Sequence, residues 1–152
     1  MDRQTTRPTP TGWPRLSASL AYQDPARAID WLVVAFGFAV RIKVPDDAGG
    51  IRHSELLFGD ALIMVAGERT EGPLRVRSPK SLEGAMTQAL FIYVDDIEAH
   101  YTQALACGAV VARDLATTDY GADYWSDRGY SVLDPEGHSW HFAQRLRDPT
   151  GG

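Results

Sequence analysis

The sequence predicts an α+β fold made of two βαβββ modules, and three observations lead to this expectation. An alternating strand pattern followed by a helical pattern occurs twice, in "SASLAYQDPARAIDWLVVAFG" and in "ALFIYVDDIEAHYTQALACG". Three extended segments follow each of these helices. A glycine stands at the same point of the last hairpin in both halves, Gly59 and Gly137. A half of this kind leaves one sheet face open, so the two halves are expected to bury surface together.

The first module is expected to span residues 14–68. Its strand "SASLAY" precedes a helix that Pro25 starts and Gly37 ends. The segments "AVRIKV", "RHSELLF" and "ALIMVAG" predict three further strands, with Gly59 and Asp60 in the hairpin turn between the last two. A polar, proline-rich arm at residues 1–13 precedes the module.

The second module is expected to span residues 88–146, after a linker at residues 69–87 that is rich in Gly, Pro and charge. Its strand "ALFIYVDD" precedes a helix on which His100 is interpreted as a surface residue. The segments "AVVARDL", "GYSVLD" and "SWHFAQ" predict three strands, with an Asp-Pro-Glu-Gly turn before the last. The chain after Gln144 has no periodic pattern and is expected to fray. Residues 147–152 form the tail beyond the module.

Composition excludes several classes of function. A formal net charge of −5 and a pI near 5.3 argue against nucleic acid as a partner, because proteins that bind phosphate backbones carry basic patches. The single cysteine, Cys107, allows no internal disulfide and no cysteine-based zinc site, which favours a cytoplasmic setting. The apolar stretch "AIDWLVVAFGFAV" is too short to span a bilayer, so no membrane association is expected.

Four stretches together resemble one known superfamily. "AYQDPARAIDWLVVAFGF" opens the first module, "FIYVDDIEAHYTQALACGA" opens the second, and "HSELLFGDALIM" and "YGADYWSDRGYSVLDPEGHSWHF" follow in them. These residues resemble the vicinal oxygen chelate superfamily, and most closely its glyoxalase/bleomycin-resistance-like branch, over residues 14–146. The resemblance implies the glyoxalase/bleomycin resistance/dihydroxybiphenyl dioxygenase fold, with a curled sheet from each module around a cavity, and a homodimer.

The resemblance also implies four metal-ligand positions. In the metalloenzymes of the superfamily, His and Glu side chains from two strands of each module hold one divalent ion. Residue by residue, these positions fall on Ser17, Ile63, Ala89 and His141 of this sequence. Three of the four carry no useful ligand. The usual four-ligand metal site is therefore expected to be absent.

Strand alternation places His141 on the cavity side of the last strand. Trp140 and Phe142 share one face of "SWHFAQ", and two large aromatic side chains are expected to face the helix-packed core. Ser139 and His141 then face the cavity. His138 has the opposite parity and is not expected to join His141 at one ion.

A displaced metal site is an open alternative. His53 and Glu55 lie two apart on a strand, point the same way and could join His141 around Zn, Ni, Mn or Fe. The competing interpretation is a solvated or hydrogen-bonded pair at the rim of the sheet.

With no metal expected, the cavity is predicted to be a small-molecule site of mostly apolar and aromatic residues. The loop "TTDYGADYWSDRGY" adds aromatic side chains that could cap a flat ligand, or that could instead anchor the loop. The candidate ligand-binding residues are Ser17, Ser19, Ile63, Ala89, Phe91, Tyr93, Trp125, Arg128, Ser139 and His141.

These residues predict a protein that binds a small organic molecule without a cofactor, and metal-free resistance proteins of the superfamily offer a precedent. The alternative is a metal-dependent lyase, isomerase or dioxygenase with the displaced site. If the protein is an enzyme, His141 is the candidate catalytic acid or base, since an imidazole with a pKa of ~6.5 exchanges protons at neutral pH. Tyr93 or Glu55 would assist it.

Overall fold

The computed structural model describes residues 7–151, so residues 1–6 of the N-terminal arm predicted at 1–13 lie outside the described residues. The described part contains two helices and eight strands, and a short 3-10 helix at Pro79–Leu82 within the linker. The elements are β1 Ala18–Tyr22, α1 Pro25–Phe36, β2 Ala39–Pro45, β3 Ile51–Phe58, β4 Ala61–Gly67, β5 Ala89–Tyr93, α2 Ile97–Ala106, β6 Val110–Asp119, β7 Ser126–Leu133 and β8 Ser139–Arg147.

The strands form two sheets of the same topology, in the orders β1-β4-β3-β2 and β5-β8-β7-β6. In each sheet the first strand pairs in parallel with the last, and the remaining pairs are antiparallel. The predicted α+β fold of two βαβββ modules is confirmed. Both sheets curl and neither closes.

Helix α1 begins and ends where the sequence predicts. The Asp24 side chain accepts a hydrogen bond from the backbone N–H of Arg27, which satisfies one of the free donors of the first turn. Gly37 ends the helix at a φ of 84°, a left-handed conformation that glycine adopts without the steric cost of a Cβ atom.

The two modules share one hydrophobic core between their sheets. Phe36 at the end of α1 packs against Trp140 and Phe142 of β8, with ring centroids 5.2 and 4.7 Å apart. Trp140 and Phe142 are both fully buried, which confirms the predicted alternation along β8. Because the helices cover the inner face of each sheet, the outer faces are left open in a single chain. We call the outer face of the β1–β4 sheet the first face and that of the β5–β8 sheet the second face.

The Asp-Pro-Glu-Gly turn of the second module ties the two modules together through buried Asp134. One carboxylate oxygen, Oδ2, accepts hydrogen bonds from Tyr22 of β1 (2.6 Å) and from the Trp140 indole (3.0 Å). The other, Oδ1, accepts the backbone N–H groups of Glu136 and His138. Burial, together with the neighbouring Asp134 charge, raises the pKa of Tyr22 well above its usual value, so the phenol stays a donor.

Glu136 and His138 extend this junction. The Glu136 carboxylate accepts the backbone N–H groups of Gln23 and Asp24 at the start of α1, at 2.6 and 3.0 Å. The Nε2 atom of His138 is 2.7 Å from the carbonyl oxygen of Ala21. The polar residues of the closing motif therefore hold the modules together, and the prediction that His138 lies apart from His141 is confirmed.

The prediction that His100 is a surface residue is wrong. Its Nε2 lies 2.9 Å from the carbonyl oxygen of Phe36 and its Nδ1 lies 2.6 Å from the Tyr130 hydroxyl. Since a carbonyl only accepts, Nε2 carries the proton and Nδ1 accepts from the tyrosine. Burial lowers the pKa of His100, so the imidazole is neutral. The packing of α2 against α1 turns this residue inward.

The last strands are longer than predicted. Much of the stretch "TTDYGADYWSDRGY" belongs to β6 and β7, and only residues 120–125 lie between these strands. The expectation that the chain frays after Gln144 is wrong for Arg145–Arg147, because Arg145 pairs with Asp127 and Arg147 with Ser126 in β7. Of the helices in residues 7–151, none has the length and apolar character needed to cross a membrane.

Candidate functional site

The four metal-ligand positions implied by the resemblance do not share one surface. Ala89 and His141 lie on the second face, in β5 and β8, whereas Ser17 precedes β1. Ile63 faces the core and is 4% exposed, so its assignment to the cavity is corrected. The segment "ALIMVAG" is apolar at consecutive positions, and its alternation therefore cannot be read from sequence.

The chemistry of these positions does not fit a divalent metal ion. Of the four side chains, only the His141 imidazole is a good ligand, and a serine hydroxyl, a methyl group and an aliphatic chain complete the set. Within residues 7–151 of one chain, no three His, Cys, Asp or Glu side chains are grouped so that they could hold a metal.

His53 and Glu55 lie on the first face and are bonded to each other. His53 Nε2 is 2.9 Å from one Glu55 carboxylate oxygen, and Arg41 forms an ion pair with the other at 2.6 Å. The hydrogen bond from His53, with a further contribution from Arg41, lowers the pKa of Glu55. The Arg41 guanidinium also lies over the ring of Trp13, 5.3 Å from its centroid. The structure does not bring His141 to this pair.

Two rows of paired residues cross the second face from β5 to β6. Register along a row places side chains of adjacent strands as direct neighbours. The rows are Phe91–His141–Ser131–Arg113 and Tyr93–Ala143–Gly129–Ala116.

His141 is held in the middle of the first row. Its ring lies 4.7 Å from the Phe91 ring, and its Nδ1 is 2.8 Å from the Ser131 hydroxyl. Burial, followed by the nearby positive charge of Arg113, lowers the pKa of His141, so the imidazole is neutral at pH 7. Its Nε2 has no hydrogen-bond partner among residues 7–151, which leaves this nitrogen available to a ligand.

Gly129 keeps space open beside that nitrogen. A Cβ atom at this position would lie 2.7 Å from the Phe142 carbonyl oxygen and 3.2 Å from His141 Nε2. Gly129 is not among the site residues predicted from the sequence. A glycine inside a strand often marks a close approach of a ligand or of another backbone, and this signal could have identified it.

A second cluster lies beside these rows. The Tyr93 hydroxyl donates to Asp127 at 3.0 Å, and Arg145 donates to the other oxygen of this carboxylate at 2.6 Å. The Arg145 guanidinium lies over the rings of Tyr93 and Trp125, 5.2 and 5.6 Å from their centroids. Asp127 and Arg145 are candidate site residues that were not predicted from the sequence, because they were assigned to a loop and to a frayed tail.

The remaining predicted site residues are divided between the two sides of the sheets. Arg128 donates to Glu98 of α2 and so lies on the helix side, which corrects its assignment to the ligand site. Ser139 pairs with Ala89 on the second face. Ser19, in β1, is exposed in the other sheet, and the nearby Ser17 hydroxyl is buried with no partner among the described residues. Of the loop aromatics, Tyr120 and Tyr124 are half exposed.

Two concavities lie away from the second face. One of about 470 Å³ is at the module junction, lined by Trp31, Cys107 and residues of the Asp-Pro-Glu-Gly turn. One of about 460 Å³ lies beneath the linker, beside β1. The acidic groups in the first are already bonded within the chain, Asp134 to Tyr22 and Glu136 to the start of α1. Neither of these two concavities is lined by the row of His141.

The chain belongs to the Glyoxalase/Bleomycin resistance protein/Dioxygenase superfamily, whose family model matches residues 16–142. The uncharacterized protein Mb0911c of Mycobacterium bovis is 31% identical over 137 residues, which cover 89% of this chain and 86% of that protein.

Solved structures share the fold. The crystal structure of TioX from Micromonospora sp. ML1 is 34% identical, covers 88% of this chain and 99% of its own, and superimposes with a TM-score of 0.66. TnmS3, an antibiotic binding protein from Streptomyces sp. CB03234, is 19% identical with a TM-score of 0.61, covering 85% of this chain and 93% of its own. At this identity TnmS3 supports the fold alone.

Proposed function

We propose that the protein binds a small, planar organic molecule on the second face, without a metal ion or cofactor. The observation that carries this proposal is the exposed aromatic surface of β5. Phe91 and Tyr93 are 55% and 47% exposed, although both are held in fixed orientations by neighbouring side chains. Exposed aromatic surface beside a few positioned polar groups is typical of a ligand site.

The polar groups of the second face suit binding rather than metal chemistry. His141 offers one neutral nitrogen beside the space at Gly129, so it can exchange one hydrogen bond with a ligand. The description of TnmS3 as an antibiotic binding protein shows that this fold can serve such a role. His141 would then be a ligand contact, and it is also the residue that a catalytic function would use.

Binding is tested by thermal denaturation with a panel of planar aromatic antibiotics. A ligand that binds the folded state raises its stability, by about 2.7 kcal/mol at a hundredfold excess over Kd. We expect at least one compound to raise the melting temperature of the wild type and to lose this effect in Phe91→Ala. Val34→Ala, an exposed apolar residue of α1 that lies on neither open face, is the matched control and should behave as the wild type.

The competing function is tested by calorimetry of metal-free protein with Zn, Ni, Mn and Fe. We expect no tight binding that depends on His141. Tight binding that His141→Ala abolishes would overturn the proposal and would favour a metal-dependent lyase, isomerase or dioxygenase.

We also propose that the protein is a cytoplasmic homodimer in which a second copy covers the open faces. Apolar side chains are exposed on both, including Ile42 and Val44 on the first and Phe91 on the second. A monomer rarely exposes such surface without a partner. Light scattering should give twice the mass of one chain, and Ile42→Lys should shift the protein toward the mass of one chain.

A further inference from the structure

One row of residues on the second face ends in an unpaired charge, and this charge indicates which chemical class of ligand the face would bind. The row Phe91–His141–Ser131–Arg113 begins with an exposed aromatic ring and ends with an exposed arginine. Arg113 forms no hydrogen bond or ion pair with any of residues 7–151. Asp127 and Arg145, which lie beside these rows, neutralise each other in an ion pair.

The backbone of β6 turns Arg113 toward the second face. The pairing of β6 with β7 is irregular on both sides of this residue, between Val111 and Arg113 and between Arg113 and Ala116. Bulges of this kind re-aim side chains and are frequent beside functional sites. The next residue, Asp114, accepts a hydrogen bond from Tyr101 of α2 and so lies on the helix side. Arg113 itself pairs with Ser131, whose hydroxyl is bonded to His141, so Arg113 lies on the side of His141.

We infer that Arg113 recognises an acidic group of the ligand, so that the ligand is an aromatic carboxylate, phenolate, sulfonate or phosphate rather than a neutral or cationic molecule. This inference rests on the proposed function of the second face. The aromatic part of the ligand stacks on Phe91 beside His141, and the acidic group lies toward β6. Two strand spacings, roughly 10 Å, separate β8 from β6, and the long arginine side chain spans part of this distance.

The neutral state of His141 is consistent with this division of roles. The positive charge near His141 contributes to its lowered pKa, so the imidazole offers a hydrogen bond without a charge of its own. Arg113 is then the only unpaired cation of the two described rows, and a charge-assisted bond to it is stronger than a neutral one.

The inference is tested with two fluorescent probes that share a ring system. Anilinonaphthalene sulfonate is anionic and N-phenylnaphthylamine is neutral. In Arg113→Gln we expect the Kd of the sulfonate to rise about tenfold, the size of one lost charge-assisted hydrogen bond, and the Kd of the neutral probe to change less than ~twofold. In Phe91→Ala both probes should bind more weakly.

Arg27→Gln is the matched control, because Arg27 is an exposed arginine of α1 at the edge of the junction concavity. It should leave both Kd values unchanged. If Arg27→Gln weakens the sulfonate and Arg113→Gln does not, the anion binds at the junction and the inference is wrong. If Phe91→Ala weakens both probes while Arg113→Gln affects neither or both equally, the inference fails and the proposed function stands. If neither probe binds the wild type, or Phe91→Ala has no effect, both are overturned.

Discussion

The first and second faces are built on the same strand order, yet their side chains are in different states. On the first face Arg41 and His53 both bind Glu55, so the charged groups of this cluster satisfy one another. On the second face Arg113 has no partner among the described residues, and His141 uses only one ring nitrogen. The difference shows that a repeated topology does not repeat the hydrogen bonding of the side chains on it, and function depends on particular side chains.

The hairpin turns of the two modules also differ, one being free of contacts and the other packed against the linker. A Cβ atom at Gly59 would meet nothing within 4 Å, so the first turn is free in the single chain. At Gly137 it would lie 3.2 Å from Pro79 of the linker, because the second turn is packed into the module junction. The second module therefore supplies both the tie between the modules and the exposed aromatic surface.

The largest expected effect on stability tests the difference between the two hairpin turns. Asp134→Ala leaves the buried donors of Tyr22 and Trp140 without an acceptor, which should lower the free energy of unfolding by about 3–5 kcal/mol. Asp60→Ala in the exposed first turn should change it by less than ~0.5 kcal/mol. Urea denaturation measures both. A loss below ~1 kcal/mol for Asp134→Ala would show that the junction does not depend on this carboxylate.

The next largest effect is on ligand affinity and tests whether binding is confined to the second face. Phe91→Ala removes the exposed ring that contacts His141 and should raise the Kd of a planar aromatic ligand about tenfold, in the range of one aromatic contact. Val34→Ala in α1 should leave the Kd within ~twofold. Fluorescence titration measures both values, and equal losses in the two variants would mean that the ligand is not confined to the second face.

A smaller effect concerns the titration of His141. Since burial and Arg113 lower its pKa, the folded protein binds this proton less readily than the unfolded chain. The contribution of His141 to the free energy of unfolding is therefore complete above the unfolded pKa of ~6.5. It declines as the pH falls from there toward the folded pKa. Proton NMR of the imidazole should give a midpoint below 6.5. Arg113→Gln should move the midpoint upward, and a midpoint above 6.5 in the wild type would contradict the described surroundings.

The smallest effect belongs to the first face. The bonds from His53 and Arg41 lower the pKa of Glu55. Their contribution to folding stability is therefore present above the unfolded pKa of ~4.5 and is lost as the pH falls through the folded pKa. The melting temperature of the wild type should therefore fall slightly more between pH 5 and pH 3 than that of Glu55→Gln. Glu71→Gln in the exposed linker should follow the wild type.

Much of the fold could be predicted from the sequence because its signals are local. Asp24 and Pro25 start α1, Gly37 ends it, and the two aromatic side chains of β8 fix which face is buried. Each signal depends on a few adjacent residues. His141 could be assigned to a sheet face by the same alternation.

The rest was decided by contacts between distant parts of the chain. Ile63 turns inward in a segment that is apolar on both sides, His100 is half-buried because α2 packs against α1, and Arg128 faces Glu98 of α2 rather than the second face. Arg113 is aimed by irregular pairing between two strands, which alternation within one strand cannot reveal. The sequence by itself determined the two modules, their caps and the parity of His141. Only the tertiary structure decided which polar groups find partners within the described residues and which do not, because a partner can lie a hundred residues away.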